Sequence, residues 1–135
     1  MMTSEEIGLK IRSLLENKPG VEVCLLFGSA AAGKLGVNSD IDIAICGEKA
    51  FTPDYLAELQ VAIAERLGTE VDLLDMARLN GLILRQVITT GKKILNKNPD
   101  LLARYIKKML FFSEDMYPNC QMILKAKAKR FAHGY

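Results

Sequence analysis

Between Val21 and Cys46 the chain reads as an apolar run, a Gly-Ser turn, a loop of small residues and glycines, and a second apolar run in which Asp40 and Asp42 alternate with isoleucine. Val23 to Phe27 is almost continuously apolar and closed by Gly28-Ser29, the pattern of a strand covered on both faces. Strand side chains alternate, so in Asp-Ile-Asp-Ile-Ala-Ile the two aspartates share one side and Ile41, Ile43 and Ile45 take the other. A chain with this stretch must place two carboxylates on a sheet that its remaining residues are apolar enough to bury.

The flanking signals define what does the burying. Thr3 to Glu6 fits a capping box and Ile7, Ile11, Leu14 and Leu15 recur at helical spacing, until Lys18-Pro19-Gly20 stops the helix. After Gly47, Thr52-Pro53-Asp54 gives an N-cap with proline at the first helical position, and Leu56, Leu59, Ile63 and Leu67 form the buried stripe up to Gly68. Glu70 to Leu74 is a third strand carrying Asp72. A helix is expected from about Ala77, with Leu79, Leu82, Ile83 and Val87 on one face and Gly91 as terminator, and Lys93 to Leu95 forms a short edge strand. Asn98-Pro99-Asp100 starts a last helix through Leu101, Leu102, Tyr105, Ile106 and Met109, interrupted near Pro118. The order of elements predicts an α/β (α+β) fold, a small mixed sheet covered by helices. With 135 residues, half of them hydrophobic, one domain is expected: a core over about 1–96 and a C-terminal helical extension over about 98–131.

Composition excludes more than it selects. A net charge of +2 makes no general case for nucleic-acid binding, and the basic tail of Lys125, Lys127, Lys129 and Arg130 lacks interleaved aromatics. No apolar run approaches the roughly 20 residues of a membrane span, and the N-terminus lacks a secretory pattern. Cys24, Cys46 and Cys120 have no metal-type spacing, which fits a reducing cytoplasm. His133 is the only histidine.

Carboxylates half-buried in a strand need a partner, and a divalent cation is one. Asp40, Asp42 and Asp72 together offer hard oxygen ligands that suit magnesium or manganese better than zinc. The Gly28-Ser29 turn lets a phosphate approach the backbone, with the Ser29 hydroxyl and nearby amide hydrogens as donors. The residues also admit a structural reading, in which Ser39-Asp40 caps a turn and Asp42 sits on a solvent-exposed edge.

Gly28-Ser29, ten residues, then Asp40-x-Asp42, with a third aspartate on a later strand, resembles the signature of the DNA polymerase beta-like nucleotidyltransferase superfamily. Ser39 before the first aspartate and Val71-Asp72-Leu73 resemble its minimal nucleotidyltransferase (MNT) branch. The run from Leu26 to Cys46, Val71-Asp72-Leu73-Leu74-Asp75, and Arg85-Gln86-Val87 through Gly91-Lys92 are similar to the MntA-type antitoxins of HEPN/MNT toxin–antitoxin pairs. The resemblance implies a nucleotidyltransferase fold, Gly28 and Ser29 holding the triphosphate of ATP, and Asp40, Asp42 and Asp72 as catalytic residues binding two Mg2+ ions. It further implies transfer of AMP to a tyrosine hydroxyl of a HEPN ribonuclease toxin, which is thereby silenced. Asp75, three residues beyond Asp72, is expected to face away.

One departure concerns the loop. Many small members carry arginine after Gly-Ser, but here the residues are Ala30-Ala31-Ala32-Gly33, and Lys34 offers a point charge without a bidentate fork. Two further readings stand beside the enzyme: an antitoxin that neutralises its partner by binding alone, and a nucleotidyltransferase with a small-molecule acceptor. The first needs an apolar docking surface, for which Met109 to Phe112, Met116 and Tyr117 are candidates, or else core packing. The second requires an acceptor-holding domain for which this sequence has no room.

Overall fold

The computed structural model describes residues 2–28 and 41–116, with side chains as far as residue 112. Ser29, Asp40, Pro118 and the basic tail lie outside the described residues, as does the predicted interruption of the last helix.

The chain opens with α1 (Ser4–Leu15), whose N-cap Thr3 accepts a hydrogen bond from the Glu6 amide. Ile7, Ile11 and Leu15 are fully buried, as the helical spacing requires. Strand β1 (Val23–Phe27) is buried along its whole length and pairs antiparallel with β2 (Ile41–Cys46). Helix α2 (Pro53–Leu67) starts on a Thr52 cap with Pro53 in its first turn and ends at Gly68 in the left-handed conformation. It carries the chain back so that β3 (Val71–Asp75) pairs parallel with β2, the crossover that parallel pairing demands.

The next segment departs from expectation. Ala77 lies in a short 3-10 turn (Met76–Arg78), and helix α3 (Gly81–Thr90) begins only at Gly81, where Asn80 caps the Ile83 amide. Asp75 accepts from the Ala77 amide and holds the tighter turn, so one helix becomes two pieces. Within α3 the buried positions are Leu84, Gln86 and Val87, with Leu79 and Ile83 packed against the core. Leu82 is only partly buried. Strand β4 (Lys92–Asn96) then pairs antiparallel with β1, with an irregularity between Cys24 and Leu25, and α4 (Pro99–Met116) follows.

The sheet order is β3-β2-β1-β4, a small mixed sheet covered by helices as predicted. Ile41, Ile43, Ile45, Val71 and Leu73 face α1 and α2, whereas Leu25, Phe27, Ala44 and Cys46 face Leu84, Val87, Leu101 and Leu102 of α3 and α4. Burial on both faces explains the unbroken apolar reading of β1. Among the described residues no helix is long and apolar enough to cross a membrane. The Met109–Phe112 cluster divides: Met109 is buried and Phe112 packs over Gly81, while Leu110 and Phe111 are exposed.

Candidate active site

Asp42 lies on β2, an interior strand flanked by β1 and β3, and is half-buried, which excludes the solvent-exposed edge reading. Its cross-strand neighbours are Phe27 on β1 and Asp72 on β3. Residues directly opposite one another point to the same side of a sheet, and alternation from Ala44 and Cys46 assigns that side to α3 and α4. Two aspartates 30 positions apart in the chain are therefore brought into one register, on strands roughly 4.8 Å apart. Asp72 itself is exposed, on the sheet's outer strand.

Gly28 closes the arrangement. Its φ of 71° is in the left-handed region, and a Cβ built there would collide with the Asp42 carboxylate oxygen Oδ2. Only glycine meets both conditions, strain-free backbone and bare approach to the acid. Gly28, at the end of β1, is thus pressed against the Asp42 carboxylate of β2. β4 enters the same end of the sheet, with Lys92 opposite Leu26.

Asp75 has a different role. Its side chain is buried and accepts from the Phe51 amide at 2.8 Å and from the Ala77 amide at 3.0 Å, with the Arg78 guanidinium 3.7 Å away. Arg78 also donates to the Phe51 carbonyl at 2.9 Å. The cluster ties the end of β3 to the loop before α2. Sequence reasoning set Asp75 aside and missed this clamp; the readable signal was an aspartate two residues before the amide it caps.

Burial pushes the Cys46 thiol up to about 12, with the Asp75 charge adding to the effect, and raises the Cys24 thiol as well. Both are free cysteines held protonated, unsuited to nucleophilic roles. Tyr105 is also raised, first by burial. Three surface pockets of about 360, 330 and 300 Å³ are lined by none of Gly28, Asp42 and Asp72. Among the described residues no group of three His, Cys, Asp or Glu side chains is assembled for a metal; Asp40 lies outside them.

Residues 9–100 match the family described as "Polymerase beta, Nucleotidyltransferase", so the chain belongs to the polymerase beta nucleotidyltransferase family. The protein adenylyltransferase MntA of Shewanella oneidensis is 36% identical over 92 residues, covering 67% of this chain and 65% of that relative, just under two thirds of its length. Among solved structures, a chain from a crystal structure of a toxin–antitoxin with AMP-PNP is similar at a TM-score of 0.74 and 29% identity, covering 90% of this chain and 98% of that one. A chain from the toxin–antitoxin MntA-HepT matches at a TM-score of 0.68 and 26% identity, covering 92% and 98%.

Proposed function

We propose that this chain is a magnesium-dependent adenylyltransferase antitoxin, transferring AMP from ATP to a tyrosine hydroxyl of a partner HEPN toxin and so inactivating it. The observation that carries the reading is the register of Asp42 with Asp72, beside a glycine backbone pressed against the Asp42 carboxylate. The names of the similar proteins support the class: one is a protein adenylyltransferase, and another is a toxin–antitoxin bound to AMP-PNP.

The donor chemistry fits a hard cation. Asp42 and Asp72 present carboxylate oxygens to one side of the sheet, and Asp40, two residues before Asp42, completes an all-oxygen set suited to Mg2+ or Mn2+. When bound, such ions supply Lewis-acid stabilisation to the attacking and leaving oxygens of an in-line displacement. Gly28 leaves the backbone bare for close approach of the triphosphate, and the Ser29 hydroxyl donates to it. In the transfer, the acceptor oxygen forms a bond to the alpha-phosphorus and the bond to pyrophosphate breaks. The acceptor proton passes toward the Asp72 carboxylate, whose exposure leaves it reachable by a macromolecular acceptor.

The buried free thiols of Cys24 and Cys46 support a cytoplasmic setting. We assign the reaction to a single domain, with its core over about 1–96 and a helical extension over about 98–131. Exposed Leu110 and Phe111 favour a second reading, neutralisation by binding alone.

The test follows label from alpha-phosphate-labelled ATP, with magnesium, onto the product of the adjacent gene, which this reading expects to be a HEPN protein. Wild type should label it, and Asp40→Asn and Asp42→Asn should not. Inhibition of the toxin without transfer of label would replace the enzyme with the binding antitoxin.

A further inference from the structure

The edge of the sheet formed by β4 carries features that the catalytic residues do not use. Among the described residues β4 pairs with β1 alone, so the hydrogen-bonding edge on its other side has no strand against it. Beside it, α1 and β4 enclose a pocket of about 300 Å³. Gly8 allows the close packing of its floor: a Cβ there would lie 2.8 Å from Ile94 Cδ1. Leu9, on its wall, is 68% exposed, the most exposed of the large apolar side chains described. The charged lining is Lys92, Lys93 and Arg12, the last paired with Glu16 at 3.8 Å, against Glu5, which leaves the two lysines as the surplus cations.

We infer that this groove receives an extended, acidic segment of the acceptor protein, which adds to β4 as a further strand of the sheet. Three features select that occupant. An open strand edge recognises a peptide backbone, which a nucleic acid lacks. The excess of cations attracts carboxylates, and the exposed Leu9 seats an apolar side chain between them. Lysines on an edge strand ordinarily discourage pairing, and here they repel the equally basic edge of a second copy while welcoming an acidic strand.

The placement also has a catalytic consequence. Lys92 stands opposite Leu26, two residues before Gly28, so a strand added to β4 and ending beside Lys92 lies about 12 Å from the nucleotide-binding turn, two strand spacings across and two residues along. About four extended residues span that gap. A hydroxyl just beyond the docked strand would thus be delivered to the catalytic end of the sheet. This inference rests on the proposed adenylyl transfer for its acceptor.

The experiment uses the full chain, ATP and the HEPN protein, comparing wild type with Lys92→Glu/Lys93→Glu and with Leu9→Asp, a change at an exposed position. Three quantities are read: KM and kcat for labelling the acceptor, ATP affinity, and hydrogen exchange of the β4 amides with and without the partner. The expected result is a KM raised roughly tenfold or more by the charge reversal and several-fold by Leu9→Asp. Turnover at saturation and ATP affinity should stay within about twofold, since neither change touches the catalytic carboxylates. Wild-type KM should climb with salt, and β4 amides should slow on complex formation. Unchanged KM and exchange alongside intact wild-type labelling would overturn the dock and leave the transferase standing. If wild type labels nothing, the transferase fails, and partner binding decides the dock: weakened by both variants it holds, unaffected it falls. Self-association of the free chain that the charge reversal abolishes would assign the groove to a second copy and overturn it.

Discussion

Asp72 and Asp75 sit on the same strand, three residues apart, in opposite surroundings. Asp75 is buried, and its oxygens are taken up by two amide hydrogens and a guanidinium. Asp72 is exposed, aligned with Asp42 and the glycine turn. A carboxylate that maintains a fold is surrounded by donors the fold itself supplies. One proposed to serve chemistry, such as Asp72, is left exposed where a ligand can reach it.

The sharpest way to break this comparison is to neutralise Asp75 and, on the other side, Asp42, the acid in register with Asp72. Asp42→Asn should lower the labelling rate by roughly 10²–10³-fold, the range seen when one preorganised electrostatic group is removed, with little change in a urea unfolding curve. Asp75→Ala should do the reverse, costing about 3 kcal/mol of unfolding free energy by leaving the Phe51 and Ala77 amides without an acceptor, while the folded fraction keeps its turnover. An Asp42→Asn protein that melts early and still transfers label would erase the distinction. Gly28→Ala sits between the two: the left-handed backbone alone costs about 1–2 kcal/mol, and the added methyl displaces the Asp42 carboxylate, so rate should suffer more than stability.

The smaller effects sharpen the picture through pH. Because burial raises the Cys46 thiol from an ordinary 9.0 to about 12, the native state holds a proton that the unfolded chain gives up. Stability is then full below about pH 9 and declines as pH rises through that window, a slope that Cys46→Ala should flatten in pH-dependent denaturation. Glu48 contributes least. Hydrogen bonds from Arg104 and Asn98 hold its carboxyl below the usual value, so its small contribution is present above the ordinary carboxylate range and fades as pH falls through the lowered pKa. Its side chain is exposed, and Glu48→Ala should fall within the scatter of a melting curve.

Much of this was legible in the chain. Thr3, Thr52 and Gly68 marked helix ends through local hydrogen bonding and backbone geometry, and the apolar periods assigned most of both core faces. Asp42 and Asp72 could be nominated because period-two alternation and a spaced motif are local properties. Their register could not, since pairing across 30 residues depends on how α2 packs. The start of α3 was misplaced for a related reason. Ala77 reads as helix until Asp75, whose role is fixed by the distant Phe51, claims its amide. The approach of Gly28 to Asp42 was likewise hidden, because a glycine's sequence context does not reveal what its missing side chain makes room for.

The parallel pairing of β2 and β3 has a thermodynamic corollary. Leu73 donates its amide to Gln60 Oε1 on α2, so the strand bearing Asp72 is fastened to the crossover helix as well as to β2. Any ligand gripped by Asp42 and Asp72 together therefore exists only on chains in which that crossover has closed. At a hundredfold excess over its Kd such a ligand adds about 2.7 kcal/mol to the folded state. If that ligand is the proposed nucleotide, its supply would set how long the chain survives proteolysis.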